Sequence, residues 1–294
     1  MRLSLLWVGL LATTAQAAMP QFDLYLADIQ QGKVASAQLI SPKAGYINQP
    51  AFSKDGGTLY YTLEQPQDKT DIGFYQLREK QHGVLAETSL SEYSPTLLQD
   101  GSGLSTVVVE ADGTQRLWKM DWQGKTSVLN ADVKGVGYHA WGAQNSALLF
   151  ILGEKDDKHT VRYLASDGSL TLLATNVGRG IGWLAPGKLG AFVTVQQGSA
   201  RLTFFAADQA QVYPTDLALP TGGQDLVWFA PDQLLVSAGQ SIYRLQTSGD
   251  SVPQWAENAK GWQPYLDLSA WCKTEVSRFA FNDSATQLAF VCKK

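Results

Sequence analysis

Short runs of apolar, β-branched and aromatic residues alternate with polar turn residues along most of the chain. One arrangement recurs six times: a Pro or small residue, an apolar or aromatic anchor, a polar turn, and a run of strand-forming residues. The anchors are Phe52, Leu97, Trp141, Trp183, Phe229 and Phe281, and they are separated by 45, 44, 42, 46 and 52 residues. A repeat of this length that holds four short strands is typical of a β-propeller.

The third repeat shows the four predicted strands most clearly. Residues 138–142 form a short first strand, and the apolar run 147–153 has the composition of a strand buried on both faces. Residues 160–164 alternate between apolar and polar positions, and Asp167-Gly168 is a hairpin turn that leads to an outer strand over 169–174. No segment has sustained helical periodicity, so the sequence predicts an all-β fold with six blades.

The last repeat supplies only two strands before the chain ends. They cover 279–282 and 287–292, while two further strands, 23–27 and 35–40, precede the first complete repeat. A ring that did not close would leave unpaired strand edges. We therefore expect the N-terminal strands to complete the C-terminal blade, so that residues 19–294 form a single six-bladed β-propeller.

The first 18 residues have the features of a secretory signal peptide. Arg2 supplies a positive charge, residues 5–12 form an apolar core too short to span a bilayer, and Ala15-Gln16-Ala17 fits the small-x-small cleavage pattern. The alternative, a buried N-terminal helix, is disfavoured because the extended fold begins directly afterwards. We expect cleavage near Ala17 or Ala18 and a periplasmic or secreted protein without a transmembrane anchor.

Charge and cysteine content narrow the classes of partner. From Met19 onward the chain has 22 Lys and Arg residues and 27 Asp and Glu residues, for a formal charge of −5. No basic stripe is present, which disfavours nucleic-acid binding.

Cys272 and Cys292 flank a predicted antiparallel hairpin, and export to an oxidising compartment favours a structural disulfide between them. A redox or metal role is the alternative, but no CxxC motif or nearby His accompanies the pair.

One segment carries a recognisable motif, Leu39-Ile40-Ser41 followed by Pro50-Ala51-Phe52-Ser53-Lys54-Asp55-Gly56. It resembles the Leu-Thr…Pro-x-Phe-Ser-Pro-Asp-Gly repeat of the TolB family, which also occurs in the propellers of prolyl oligopeptidase-type peptidases. Weaker copies are Ser94-Pro95 with Asp100-Gly101, Phe229-Ala230-Pro231-Asp232, and Phe281-Asn282-Asp283. The resemblance implies blade geometry: Pro shapes the entry, the aromatic packs between blades, and Asp-Gly forms the turn. We expect neither the extra N-terminal domain of TolB itself nor the hydrolase domain of the peptidases.

Motifs that carry chemistry are missing from the sequence. It contains no Gly-x-Ser-x-Gly, His-Glu-x-x-His, phosphate-loop or EF-hand pattern. His82, His139 and His159 fall in different parts of blades 1 and 3, which disfavours a three-His metal site. The glycine-rich segment 178–182 leads into a strand rather than a helix, so we interpret it as a tight propeller turn and not as a nucleotide loop. The acidic and lysine-containing segment 154–158 is interpreted as a solvated hairpin tip. We expect no catalytic residues, no metal and no cofactor.

Propellers usually bind ligands on the face where loops enter the innermost strands, around the mouth of the channel. The candidate binding-face residues precede the anchors in the repeats. They are Asn48, Gln49, Tyr93, Tyr138, His139, Arg179, Asp225 and Arg278. Their mixture of arginine, tyrosine, histidine and carboxylate suits a polar or acidic partner group. The alternative is a set of ordinary solvated rim residues.

A second candidate region is the longest segment between anchors, residues 251–275. It contains Trp255, Trp262, Tyr265 and Trp271. These aromatic side chains could form a patch that binds a partner or stacks on sugar rings. They could equally fold down and cap the blade, which is the interpretation we favour.

Three functions are compatible with these observations, and we rank them in the following order. The first is a monomeric, non-enzymatic binding module of the bacterial cell envelope that docks an envelope protein or peptide. The second is a propeller hydrolase or lyase with a metal at the channel mouth, for which only Asp225 and Asn48 offer oxygen ligands. The third is a carbohydrate-binding propeller that uses the Trp-rich segment.

Overall fold

The computed structural model describes residues 19–155, 157–184, 189–230, 232–247, 251–259 and 261–294. The signal peptide predicted over 1–18 lies outside the described residues. Within these residues, twenty-four strands form six four-stranded sheets, each of which is one blade. The prediction of an all-β, six-bladed propeller is confirmed.

The strands follow one another in chain order. The first two are β1 (Phe22–Gln30) and β2 (Lys33–Leu39). Blade 1 contains β3 (Ile47–Phe52), β4 (Thr58–Gln65), β5 (Lys69–Gln76) and β6 (Gln81–Val84). Blade 2 contains β7 (Ser91–Leu97), β8 (Gly103–Val109), β9 (Gln115–Asp121) and β10 (Thr126–Val128). Blade 3 contains β11 (Val136–Trp141), β12 (Ala147–Ile151), β13 (Thr160–Leu164) and β14 (Leu170–Thr175).

The second half of the chain repeats this pattern. Blade 4 contains β15 (Val177–Leu184), β16 (Leu189–Gln196), β17 (Ser199–Ala206) and β18 (Gln211–Ala218). Blade 5 contains β19 (Leu226–Ala230), β20 (Gln233–Ala238), β21 (Ser241–Gln246) and β22 (Gln263–Asp267). Blade 6 contains β23 (Val276–Phe281) and β24 (Gln287–Lys293) together with β1 and β2. The first strands form the inner ring, since β3 contacts both β7 and β23, and β15 contacts both β11 and β19.

Blade 6 closes the ring with strands from both ends of the described chain. Its strand order is β2-β1-β24-β23, and β1 pairs with β24 in antiparallel register. Leu24 lies opposite Val291, and Tyr25 lies opposite Phe290 with their rings stacked 5.0 Å apart. The predicted completion of the C-terminal blade by N-terminal strands is therefore confirmed.

The hydrophobic core is divided among the blade interfaces. Each of the six apolar clusters among the described residues joins two neighbouring blades. Aromatic anchors take part in these contacts: Phe229 of blade 5 lies 4.8 Å from Phe281 of blade 6, and Trp183 of blade 4 stacks on Tyr163 of blade 3 at 5.8 Å. Burial of both sheet faces between neighbouring blades explains why the second strands are nearly continuous apolar runs rather than alternating ones.

The Asp-Gly turn of the TolB-like motif has the geometry that its sequence implies. Gly56 has a φ of 71°, a left-handed conformation that glycine adopts without steric cost. The carboxylate of Asp55 accepts hydrogen bonds from the Gly57 N–H at 3.0 Å and the Ser53 hydroxyl at 2.6 Å. These bonds hold the hairpin between β3 and β4.

Two local features differ from the sequence-based expectations. A short helix, α1 (Val252–Asn258), occupies part of the long segment before β22 and packs on β17 and β18. Its seven residues are too few to give a periodic pattern that sequence analysis could recognise. Residues 178–182 lie inside β15 as part of a bulge, not in a turn before the strand.

No helix among the described residues is long and apolar enough to cross a membrane.

Cys272 and Cys292 are joined by a disulfide with their Cα atoms 5.5 Å apart. Cys292 lies near the end of β24, and Cys272 lies in the connector between β22 and β23, 20 residues earlier. The bond therefore ties the connector between blades 5 and 6 to the strand that closes the ring.

Replacing both cysteines, by Cys272→Ala and Cys292→Ala, should lower the free energy of unfolding by about 3 kcal/mol, because the unfolded chain is no longer cross-linked. Urea denaturation of the two proteins measures the difference. Dithiothreitol should destabilise the natural protein and leave the double variant unchanged. Equal urea midpoints for the oxidised natural protein and the variant would contradict a structural role.

A buried pair of carboxyl groups lies between blades 1 and 2. Asp71 and Glu92 are each 1% exposed. The Thr88 hydroxyl donates to Glu92 Oε1, and the Lys69 ammonium lies 3.0 Å from Asp71 Oδ1. Burial, followed by the charge and hydrogen bond of Asp71, raises the pKa of Glu92 to about 8. At neutral pH Glu92 therefore keeps a proton that its unfolded counterpart would lose.

Because the pKa is raised on folding, Glu92 stabilises the fold fully below about pH 4.5, and this contribution is lost as the pH rises through about 8. The urea midpoint of the natural protein should fall across this range, and Glu92→Gln should remove that part of the fall. Glu275→Gln is the control, since this side chain is 54% exposed. If Glu92→Gln retains the full pH dependence, the assignment to Glu92 is wrong.

Candidate functional site

Backbone bulges at the beginning of the inner strands turn side chains toward the channel. In β3, Asn48 pairs with Thr62 and Ala51 pairs with Tyr60, so two residues face one on β4. Register shifts also occur near the start of β7, β11, β15 and β23, and in β15 three residues face one. Bulges bend a strand and re-aim its side chains, and they are common beside binding sites. The candidate residues other than Asp225 lie at or next to these positions, whereas Asp225 precedes β19, whose register shift is at the far end between Trp228 and Ala230.

Blades 1 and 2 share one form of this bulge. Gln49 precedes Pro50 and Ser94 precedes Pro95, and the two residues before proline have φ values of 52° and 55°. Proline fits a bulge because it has no N–H to donate to the neighbouring strand. The Thr62 hydroxyl donates to Gln49 Oε1 at 2.6 Å and accepts the Ser94 N–H at 3.2 Å. This hydroxyl therefore links the two bulges across the blade interface.

A charged cluster of Arg179, Asp225 and Arg278 lies at the channel mouth. We call these three residues the charged triad. The guanidinium of Arg278 contacts Asp225 Oδ1, and Arg179 Nε lies 3.6 Å from the same oxygen. Arg179 also donates from Nη2 to the Ser277 carbonyl at 3.2 Å. Two guanidinium groups share one carboxylate, so the triad has a net charge of +1.

The charged groups of the triad are largely shielded from solvent. The side chain of Asp225 is 5% exposed, that of Arg278 is 13% exposed, and that of Arg179 is 32% exposed. Burial and the charge of Arg179 lower the pKa of Arg278 to about 10, which leaves it protonated at neutral pH. Electrostatic interactions at a buried site are screened less than those in water. The excess positive charge therefore favours an anionic over a cationic group at the channel mouth.

The phenol of Tyr138 completes the surroundings of Arg278. The Arg278 guanidinium lies over the Tyr138 ring, 4.4 Å from its centroid, which is a cation–π contact. Burial acts to raise the pKa of Tyr138, but the charges of Arg278 and Arg179 outweigh it, and the net pKa is lowered. Arg278 is thus held between an aromatic face and a carboxylate, while Arg179 is the more accessible of the two arginines.

His139 is a buried neutral side chain in this region. Its Nε2 lies 2.6 Å from Ser105 Oγ, which also accepts the Trp141 indole N–H at 2.7 Å and donates to the Thr96 carbonyl at 3.2 Å. With the hydroxyl proton directed at Thr96, we assign the imidazole proton to Nε2. Burial lowers the pKa of His139 to about 3, so the ring carries no charge at neutral pH. Its role here is to join blades 2 and 3.

The loop that carries Asp225 packs tightly on the β15 bulge. A Cβ atom at Gly180 would lie 1.9 Å from the Gln224 carbonyl oxygen, so only glycine permits this approach. The glycine-rich segment 178–182 therefore serves packing: it lets the connector before β19 bring Asp225 against Arg179 and Arg278.

Two cavities adjoin at Arg179. The channel-mouth cavity has a volume of about 200 Å³ and includes all three triad residues. A larger cleft of about 790 Å³ lies between blades 3 and 4. Tyr138 and Arg179 line both spaces. Arg179 is therefore accessible from both spaces.

No family model and no curated protein sequence matches the chain. Among solved structures, a protein named as TolB from Agrobacterium tumefaciens aligns with a TM-score of 0.66 over 94% of this chain and 99% of that chain, at 12% sequence identity. The fold is TolB-like. A protein named as a gluconolactonase aligns with a TM-score of 0.62 over 92% of this chain and 98% of that one, at 12% identity. An oligogalacturonate lyase in complex with manganese aligns with a TM-score of 0.54 over 88% of this chain and 80% of that one, at 11% identity.

These identities show a shared fold. Enzymes and TolB are both found among the neighbours of the TolB-like propeller, so its function has to be argued from its own side chains.

The metal site of the second hypothesis does not fit the residues at this channel mouth. Of its two oxygen ligands, Asp225 contacts a guanidinium and lies near another, and both would repel a cation. Asn48 accepts the Gln49 N–H through Oδ1 at 2.9 Å. Within the described parts of the chain, no group of three or more His, Cys, Asp or Glu side chains could hold a metal ion.

Six of the eight candidate binding-face residues line the channel-mouth cavity of the TolB-like propeller: Gln49, Tyr138, His139, Arg179, Asp225 and Arg278. Asn48 is 5% exposed beside them, and Tyr93 packs edge-on against Tyr46 with ring centroids 6.3 Å apart. Tyr46 was missed by the sequence analysis. Burial of its phenol raises the pKa of Tyr46, and the positive charges of Arg278 and Arg179 partly oppose this increase. Tyr46 lies six residues before the anchor Phe52, outside the positions from which the candidate residues were chosen.

The four aromatic candidates of the long segment are divided between two blade interfaces. Trp255 and Trp262 are half-buried against the cluster between blades 4 and 5. Tyr265 and Trp271 are half-buried against the cluster between blades 5 and 6, and Tyr265 carries Arg244 over its ring at 5.0 Å. They cap the blades from different sides and do not form a common stacking surface.

Removing the carboxylate of the triad should destabilise the protein, because Asp225→Ala leaves Arg278 charged and buried without a carboxylate partner. We expect the free energy of unfolding to fall by about 3–5 kcal/mol, measured by urea denaturation. Asp216→Ala removes the carboxylate of an exposed ion pair with Arg201 and should leave the urea midpoint unchanged. Equal effects of the two substitutions would show that the triad is not a buried charge network.

Proposed function

We propose that the protein is a non-enzymatic binding module of the bacterial cell envelope. Its channel mouth docks a protein or peptide partner through an acidic group. The observation that carries this proposal is the net positive charge of the triad, where one buried carboxylate faces two guanidinium groups. Charge-assisted bonds to arginine are among the stronger polar interactions in proteins, and a planar guanidinium matches a carboxylate in geometry.

The proposed location is the periplasm, reached through a signal peptide over residues 1–18. The disulfide between Cys272 and Cys292 is compatible with an oxidising compartment. The likeness to proteins named as TolB supports the same envelope setting by analogy of fold. A laminin complex of nidogen is also among the structural neighbours, with a TM-score of 0.55, so a propeller of this kind can engage another protein.

Reversing the accessible charge should abolish partner binding. Arg179→Glu places a carboxylate where the partner's acidic group would dock, and like charges repel. The immobilised protein is incubated with a bacterial envelope extract, and captured proteins are quantified by mass spectrometry. We expect a partner that is retained by the natural protein and reduced at least about tenfold with Arg179→Glu.

Arg201→Glu is the matched control, because Arg201 also lies in blade 4 and its side chain is 30% exposed, close to the 32% of Arg179. Capture should survive this change. A partner profile that is identical for Arg179→Glu and the natural protein would refute docking at the triad. Stoichiometric divalent metal in the purified protein would instead support the hydrolase or lyase hypothesis.

A further inference from the structure

The cleft between blades 3 and 4 has walls of different character. Blade 3 contributes Phe150, near the end of β12, and Leu152, directly after the strand; Phe150 is 3% exposed, whereas Leu152 is 37% exposed. The opposite wall is the connector 219–224, which includes Thr221 and two consecutive glycines. Exposed apolar surface next to polar rim groups is typical of an interaction site. The volume of about 790 Å³ can hold several side chains.

Arg179 lies where the cleft meets the channel. Its Nε lies 3.6 Å from Asp225 Oδ1, an oxygen that it shares with Arg278, and its Nη2 donates to a backbone carbonyl. Arg179 therefore has no carboxylate that pairs with it alone. Arg278 makes the closer contact with Asp225. A second carboxylate, supplied by a ligand, would neutralise the triad. Charge complementarity therefore favours a ligand that has an anionic group at the end next to Arg179.

Building on the proposed function, we propose that this cleft binds the carboxyl terminus of a partner polypeptide. The terminal carboxylate pairs with Arg179, and the apolar side chains of the last residues pack against Leu152, the more exposed of the two apolar side chains from blade 3. A peptide fits better than an acyl chain because polar groups of the connector and Ser199 also line the cleft, and these can bond to peptide amides. An alkyl chain would cover the same polar groups without bonding to them.

The test uses a hexapeptide library randomised at its last three positions and prepared in two forms, with a free carboxylate and with a carboxamide. The full chain, after export, is immobilised and the retained peptides are identified by mass spectrometry. We expect enrichment of free-acid peptides with apolar residues at the final positions. The amidated library should show at least about tenfold weaker retention, because the charged bond to Arg179 is absent.

Four variants locate the binding. Arg179→Gln should lose the preference for the free carboxylate, and Arg179→Lys should retain part of it because the charge remains. Leu152→Asn should lose the apolar preference. Leu172→Asn is its matched control, since Leu172 is 52% exposed on β14 of the same blade and does not line the cleft. Circular dichroism of each variant establishes that the blades are intact.

Three results would overturn the inference: no enrichment from the free-acid library, equal enrichment from the amidated library, or unchanged enrichment of apolar final residues with Leu152→Asn. The proposed function is tested separately. If the envelope partner is still captured through Arg179 after its carboxyl terminus is extended by a short Gly-Ser tail, docking at the channel mouth stands and the carboxyl-terminal site does not.

Discussion

Pairing of β1 with β24 is the constraint on which the rest of the structure depends. A propeller blade buries both faces of its sheet against its neighbours, so a ring that did not close would expose two apolar faces and an unpaired strand edge. The antiparallel register from Phe22 with Lys293 to Asp28 with Gln287 removes that edge. The six apolar clusters then form a continuous circle of interfaces, and each blade is stabilised by the two beside it.

The charged triad depends on this closure. Arg278 lies on β23 in the closing blade, Asp225 precedes β19 in blade 5, and Arg179 lies in the bulge of β15 in blade 4. Arg179 and Arg278 are 99 residues apart in sequence, and they share one carboxylate only because three consecutive blades are held around one channel. The disulfide from Cys272 to Cys292 fixes the connector that leads into β23, so it constrains the segment next to Arg278.

The sequence pattern predicted the architecture because each repeat is defined by residues that are close together in the chain. An anchor, a turn and strand periodicity recur at nearly constant spacing. It also found Arg179, Asp225 and Arg278, since each precedes an anchor in its own repeat. It could not predict their pairing, because the relative position of residues in different blades depends on bulges whose size varies from blade to blade. Residues 178–182 illustrate this, since three of them face a single residue of β16. Tyr46 and the seven-residue helix α1 were missed because neither has a counterpart in the other repeats.

The repeat itself is largely structural, and what differs between copies forms the candidate site. The bulges of blades 1 and 2 contain Gln49-Pro50 and Ser94-Pro95, those of blades 3 and 4 contain glycine, and that of blade 6 contains Ser277. Each choice aims a different side chain at the channel, while the anchors below keep the blades in register. A Cβ at Gly180 would collide with the Gln224 carbonyl, so the departure from the repeat in blade 4 is what allows the connector to bring Asp225 to the arginines. The net positive charge at the channel mouth thus depends on Arg179 in the bulge of the least regular blade, which shares Asp225 with Arg278.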